Sequence, residues 1–113
     1  MATREEALSR SAFLILLSLA DRPRHGLGIM EEVEARTLGG ARLGPGTLYG
    51  TLKRLEEDGL IAETDARPDP DDDPRRRYYG VTAAGADALR DEAERLRSLV
   101  SIAEGKNILK ARR

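Results

Sequence analysis

The sequence contains no cysteine and no tryptophan, and aromatic residues make up only 4% of its 113 positions. Without cysteine the chain has no disulfide bonds, no thiolate metal ligands and no cysteine nucleophile. A chain of this length can form a hydrophobic core without such cross-links. The absence of cysteine is also compatible with a reducing compartment.

Long hydrophobic runs are missing as well. The longest apolar stretch, residues 12–17, is far shorter than the roughly 20 residues that a membrane-spanning helix needs. It also lacks the preceding basic region and the small-residue cleavage site of a secretory signal. We therefore expect a cytoplasmic protein without a membrane partner.

An excess of positive charge, which usually accompanies nucleic-acid binding, is also missing, because the formal net charge is -1. This sum argues only mildly against DNA as a partner, since DNA contacts one face of a protein. The distribution of the positive charges over the surface therefore matters more than their total.

Helical periodicity dominates the sequence, in which 40% of the residues are hydrophobic and 35% charged, as in one helix-rich globular domain. The spacing of apolar residues predicts helices over about residues 5–20, 26–37, 44–58 and 83–110, the last capped by Thr82. Pro45 near a helix start and Gly59 just after the same helix are typical of helix boundaries.

A β-hairpin is predicted between the third and fourth helices. Residues 60–64 and 75–81 have strand-forming composition, and residues 66–74 must form a loop because they are rich in aspartate and proline. Three helices followed by a hairpin is the order of a winged helix-turn-helix. The predicted fold class is thus mainly α with a small β-hairpin (α+β), a winged helix-turn-helix with a C-terminal dimerisation helix.

The first and last helices carry more apolar surface than one small domain can cover. The first helix is apolar nearly all round, and the last has a heptad-like seam that either packs on its own core or contacts a second subunit. We favour the dimer contact. The expected interface consists of Leu8, Phe13, Leu89, Leu96 and Val100. Residues 5–81 would form the DNA-binding part, 82–110 the dimerisation helix of the same compact unit, and 111–113 a tail.

Three motifs together point to a known family. They are Gly46-Thr47-Leu48-Tyr49 with residues 52–61, the segment 76–85, and the opening of the second helix at residues 25–29. Over about residues 8–89 the sequence resembles the PadR family of bacterial transcriptional regulators. It departs from that pattern at Leu27, where tyrosine is usual, at Gly50, where proline is common, and in its acidic hairpin loop.

The resemblance implies a sequence-specific DNA-binding regulator. Such a protein is expected to be a repressor that binds a palindromic operator as a homodimer and is released by a small-molecule inducer. The expected partners are therefore double-stranded operator DNA, a second copy of the chain and a small-molecule effector.

The expected DNA contacts lie on the third helix and at the base of the hairpin. The residues assigned are Thr47, Tyr49, Gly50, Thr51, Lys53, Arg54, Arg75, Arg76 and Arg77. Small hydroxyls and amides at a helix start can approach phosphate closely, and Arg54 can reach guanine or phosphate. Tyr49 is either a core-edge aromatic or a hydrogen-bond donor to phosphate, and the resemblance implies that it lies near DNA.

The basic cluster at residues 75–77 also has two interpretations. It contacts the DNA backbone across the minor groove, or it merely offsets the adjacent aspartates. Strand alternation would point Arg76 away from Arg75 and Arg77. The loop aspartates Asp69, Asp71, Asp72 and Asp73 would then limit non-specific affinity or steer the hairpin away from DNA, and their replacement by asparagine should tighten non-specific binding.

Catalytic and metal sites are not expected. His25, the only histidine, stands at a helix start, where a structural or capping role is expected, and it has no cysteine or second histidine with which to share a metal. The acidic loop lacks the glycine and glutamate of a calcium loop. We therefore predict no enzyme activity, metal or cofactor. The alternative function is a winged-helix protein-interaction module without DNA binding, because the fold alone does not decide.

Overall fold

A computed structural model describes residues 7–111 of the chain. In chain order the elements are α1 (Arg10–Leu19), β1 (Arg24–His25), α2 (Gly26–Arg36), α3 (Pro45–Glu57), β2 (Ile61–Thr64), β3 (Tyr78–Val81) and α4 (Ala83–Gly105). The strands form one antiparallel sheet in the order β1-β3-β2. This arrangement confirms the predicted α+β class. No helix in this part of the chain is long and apolar enough to span a bilayer.

The starts of α1 and α4 are set by hydroxyl caps. The Ser9 side chain accepts the backbone N–H of Ala12 at 3.1 Å, so α1 begins at Arg10. The prediction of a start near Glu5 is wrong over residues 7–9, and Glu5 itself lies outside the described residues. At α4 the predicted cap is confirmed, since the Thr82 side chain accepts the N–H of Gly85 at 3.0 Å.

The ends of α3 and α4 depend on left-handed residues. Gly59, with φ of 74°, follows α3 as predicted. Asn107 adopts φ of 62° after α4, and the N–H of Ile108 donates to the carbonyl of Ala103 at 2.9 Å. This Schellman-type reversal ends α4 at Gly105, so the predicted extension to residue 110 is wrong. Of the predicted tail, residues 112 and 113 lie outside the described residues.

The core surrounds α1, which contacts α2, α3 and α4. Ile15 and Leu16 of α1 are both 0% exposed and pack with leucines of α3 and aliphatic residues of α2. Leu17 is 49% exposed, so the chain by itself leaves part of this apolar helix uncovered. The buried face of α3, formed by Leu48, Leu52 and Leu55, fixes this helix against the core and leaves its opposite face exposed.

The hairpin differs from the prediction on its return side. β3 begins at Tyr78 rather than residue 75, because Arg67 holds the preceding segment in turns. Its guanidinium donates to the carbonyls of Asp73 at 3.0 Å, Pro74 at 3.2 Å and Arg76 at 2.5 Å. The arginines at 75–77 therefore lie outside the strand, and the strand alternation predicted for them is wrong.

The third strand of the sheet was not predicted. β1 has only two residues, and it pairs with β3 in the register Arg24↔Tyr79 and His25↔Tyr78. Such a short strand has no periodicity that a sequence could display. The pairing of β1 with β3 places the start of α2 directly beside the base of the hairpin, where DNA contacts were predicted.

Candidate nucleic-acid interface

The outward face of α3 carries most of the residues that were assigned to DNA. Thr47, Tyr49, Gly50, Lys53 and Arg54 are all exposed, whereas the leucines at 48, 52 and 55 are buried. These exposed positions form one continuous arc at helical spacing. The face therefore offers a hydroxyl, two cations and an aromatic residue to a partner.

Thr51 is a correction to the predicted site. Its side chain is only 2% exposed, because it stands one turn after Leu48 and shares the buried side of the helix. Its hydroxyl accepts from Nη2 of Arg54 at 3.5 Å, the long end of the hydrogen-bond range. Thr51 thus lies behind Arg54 and cannot itself reach DNA.

Gly50 leaves the centre of this face flat. A Cβ placed there would meet nothing within 4 Å, so the fold itself does not require glycine. Glycine inside a helix costs roughly 1 kcal/mol relative to alanine. The open position lets another molecule approach the helix backbone closely.

Tyr49 covers the start of α2. Its side chain is 54% exposed, and a Cβ on Gly26 would lie 2.7 Å from its hydroxyl oxygen. Gly26 therefore provides the space in which the phenol lies. The exposure places Tyr49 on the surface rather than in the core.

His25 caps α2, as predicted. Its Nδ1 accepts the backbone N–H of Gly28 at 3.1 Å. Partial burial lowers the pKa of His25, and the neighbouring Arg76 lowers the pKa further. The ring is therefore neutral at neutral pH and adds no charge to the surface.

An open cavity of about 350 Å³ joins α3, the start of α2 and the base of the hairpin. Its lining consists of His25, Gly26, Leu27, Tyr49, Arg75, Arg76, Arg77 and Tyr79. The structure therefore brings the basic cluster next to α3. The cavity has the charge and the hydroxyl donor that an anionic group such as phosphate requires.

The loop aspartates are not equivalent. Asp73 accepts from Nε of Arg75 at 3.1 Å and from Nη2 at 3.0 Å, and Asp72 accepts from Nη1 of Arg76 at 3.1 Å. The Tyr78 hydroxyl also donates to Asp72 and lowers the pKa of that carboxyl group. Two of the four aspartates thus pair with arginines of the predicted site, which does not support a common repulsive role.

The residues assigned to a dimer interface fall into two groups. Leu8 and Leu89 are half-buried and pack against the core of the same chain, and Phe13 is half-buried on α1. Leu96 and Val100 are 38% and 47% exposed on α4. Two exposed apolar neighbours on that helix were not predicted, Leu99 at 56% and Ile102 at 55% exposure.

Two further residues of the site were also missed. Arg67 shapes the hairpin base, and Tyr78 links it to Asp72 and His25. No local pattern marks either contact, since each depends on the folded loop. Across residues 7–111 no three histidine, cysteine or acidic side chains converge as metal ligands would.

Comparison with known proteins identifies relatives over most of the chain. The family model of the transcriptional regulator PadR-like family matches residues 15–91. The chain is 39% identical over 85 residues to the transcriptional regulator Rv3488 of Mycobacterium tuberculosis, which covers 75% of this chain and 74% of that protein.

Two other similarities agree with this match. An uncharacterised 37.1 kDa protein of transposon Tn4556 from Streptomyces fradiae is 41% identical over 86 residues, 76% of this chain but 23% of that relative. A PadR family transcription regulator from Clostridium difficile has a similar crystal structure, with a TM-score of 0.72 and 26% identity. That likeness covers 86% of this chain and 97% of the other.

Proposed function

The chain belongs to the PadR-like family of transcriptional regulators, and we propose that it binds double-stranded DNA through α3 and the base of the hairpin. The cavity that joins Tyr49 to the cluster of Arg75, Arg76 and Arg77 is the observation that carries this proposal. In a helix-turn-helix the second helix of the motif enters the major groove, where base edges are distinguishable. Here α3 would read bases, and the arginines would contact phosphates.

The proposed regulator is a homodimeric repressor. Residues 5–81 would supply the DNA-binding part, and the helix within 82–110 the contact between subunits. Four large apolar side chains exposed on one helix support this contact: Leu96, Leu99, Val100 and Ile102. A two-fold dimer presents two α3 helices about 10 base pairs apart, so its operator would be palindromic. Occupation of that operator would block transcription.

The DNA that lies upstream of the protein's own gene is the first duplex to test. We expect protection of a palindromic segment, and binding that weakens as salt rises because phosphate contacts release counterions. A scrambled duplex of the same length is the control. No binding to either duplex at low salt would favour the alternative, a winged-helix protein-interaction module.

Arg54→Ala is expected to weaken operator binding by roughly 10- to 100-fold, the value of one good side-chain–base contact. The Arg54 side chain is exposed, so its removal should leave thermal unfolding almost unchanged. Fluorescence anisotropy with operator and scrambled duplexes measures the effect. Arg54→Lys, which keeps the charge, should retain most of the non-specific binding, and full operator affinity in Arg54→Ala would contradict the assignment.

Gly50→Ala is expected to act in opposite directions on folding and binding. Stability should rise by up to about 1 kcal/mol because alanine is the better helix former and the added methyl meets nothing. Operator affinity should fall by about tenfold, because the methyl separates the helix from DNA. Gly105→Ala, at another open helical position, is the control for binding. Unchanged DNA affinity in Gly50→Ala would show that the flat position has no role.

The proposal that a small-molecule inducer releases the repressor is based on the family resemblance alone. An open cavity of about 610 Å³ lies between the end of α1 and strands β2 and β3, with Asp21, Arg22 and Glu63 in its lining. None of the described residues that line it is aromatic, so it does not favour a stacked planar ligand. We propose no catalytic activity, because His25 is engaged as a helix cap.

A further inference from the structure

We propose that Asp72 is a positioning residue for DNA binding, which holds Arg76 beside the start of α2 and so preforms the hairpin base. The inference rests on the proposed function and reverses the role that negative charge near DNA would suggest. The hairpin loop, residues 65–77, is called the wing below.

The Asp72 carboxylate joins the wing to two strands of the sheet. The hydroxyl of Tyr78, on β3, donates to Oδ2, and Nη1 of Arg76 donates to Oδ1 at 3.1 Å. Nε2 of His25, on β1, lies 3.9 Å from Oδ2, and the His25 and Asp72 side chains are each only 16% exposed. One carboxylate thus connects the wing to the body at its boundary with α2.

The protonation of His25 explains why this carboxylate is needed. Nδ1 accepts the N–H of Gly28, so in the neutral ring the proton is on Nε2. Arg76 places Nη1 only 3.1 Å from that Nε2, and two donors face each other there. The Asp72 carboxylate lies beside both nitrogens and offsets their repulsion. If the Asp72 carboxylate were neutral, the repulsion between the two donors would no longer be offset, and the Arg76 side chain would leave this position.

Tyr78 is also fixed in position, because its side chain has contacts on three sides. The Arg67 guanidinium carbon lies 4.7 Å from the ring centroid, and the His25 ring packs edge-on with centroids 5.2 Å apart. The third contact is the hydroxyl bond to Asp72. A wing held in this way loses less conformational freedom when it meets DNA than a mobile loop would.

Asp71 provides the matched control. It is exposed, and within residues 7–111 its carboxylate has no hydrogen bond or ion pair; only its backbone N–H is bonded, to Oδ1 of Asp69 at 2.9 Å. Asp71→Asn and Asp72→Asn remove the same charge from adjacent residues. A purely repulsive role predicts the same effect for both variants, whereas positioning predicts weaker DNA binding for Asp72→Asn alone.

The test compares both variants with the wild-type chain by fluorescence anisotropy over a range of salt concentrations. The probes are a duplex from upstream of the protein's own gene and a scrambled duplex of the same length. We expect Asp71→Asn to bind the scrambled duplex equally or slightly more tightly. Asp72→Asn should bind the upstream duplex about tenfold more weakly, although it has lost a negative charge.

A spectroscopic measurement checks the contact without DNA. The hydrogen bond to Asp72 raises the pKa of Tyr78. Titration of tyrosines labelled at Cζ, followed by NMR, should show a lower Tyr78 pKa in Asp72→Asn and an unchanged one in Asp71→Asn. Tyr78→Phe identifies the resonance, and it removes the hydroxyl bond without changing the charge of the wing. It should weaken DNA binding in the same direction as Asp72→Asn.

The outcomes separate the two proposals. Equal DNA binding by Asp71→Asn and Asp72→Asn, with wild-type binding intact, overturns the positioning role and leaves the proposed function standing. Absence of wild-type binding to either duplex overturns the proposed function and the inference with it. If Asp72→Asn does not fold, Tyr78→Phe decides, and wild-type affinity in that variant overturns the inference.

Discussion

Gly85→Ala is expected to destabilise the domain by about 3 kcal/mol or more, enough to unfold a marginally stable protein. A Cβ at this position in the first turn of α4 would overlap the Leu60 carbonyl oxygen, and it would lie 2.9 Å from the carbonyl carbon and 3.1 Å from Val81 Cγ1. The Leu60 carbonyl cannot simply move aside, because it accepts the N–H of Thr82 at 3.1 Å. Either α4 separates from the sheet or a backbone hydrogen bond is lost.

Chemical denaturation followed by circular dichroism measures this effect. Gly46→Ala is the matched control, because it also lies in the first turn of a helix but a Cβ there meets nothing within 4 Å. Its free energy of unfolding should stay within about 1 kcal/mol of the wild-type value. A denaturation midpoint for Gly85→Ala equal to that of the control would show that α4 can shift at little cost.

Leu96→Glu combined with Val100→Glu is expected to give a monomer, and to weaken binding to a palindromic operator by about 100-fold or more. Both side chains are exposed on α4, so the substitutions should not disturb the core of the chain. Four added charges at a two-fold contact repel one another, and a monomer holds only one half-site. Sedimentation equilibrium and anisotropy measure the two effects.

Leu38→Glu is the control for this pair, because Leu38 is 94% exposed and lies outside α4. It should leave the oligomeric state unchanged. Leu89 is unsuitable for such a test, since it packs against the core of its own chain and a glutamate there would destabilise the fold. If the double variant remains a dimer, the subunit contact lies elsewhere on the chain. If the wild-type chain is a monomer, the proposed dimer contact on α4 is wrong.

Much of the local structure could be predicted because its causes are local. Leucines at helical spacing predicted α3, Pro45 and Gly59 marked its limits, and His25 was recognised as a capping residue. The errors occurred where one side chain or one dihedral decides a boundary. Ser9 starts α1 late, and Asn107 ends α4 early, although apolar periodicity continues beyond both.

The candidate site was predicted less completely. Four exposed positions of α3 were assigned from helical spacing and Tyr49 from the family resemblance, but the same spacing placed Thr51 on the wrong side of the boundary. The width of a buried face depends on what packs against it, and no helix pattern contains that information. The conformation of residues 75–77 was missed for a related reason, because it depends on the hydrogen bonds of Arg67.

The sequence by itself determined the order of the helices, the α+β class, the family and the buried leucine face of α3. These follow from periodicity, helix caps and motifs, which act between residues a few positions apart. Only the tertiary structure decided that the acidic wing belongs to the basic surface. That result depends on Arg76 and His25, which are 51 residues apart in the chain and 3.1 Å apart in space. Contacts at such separation arise from strand pairing and loop closure, so they leave no periodic trace in the sequence.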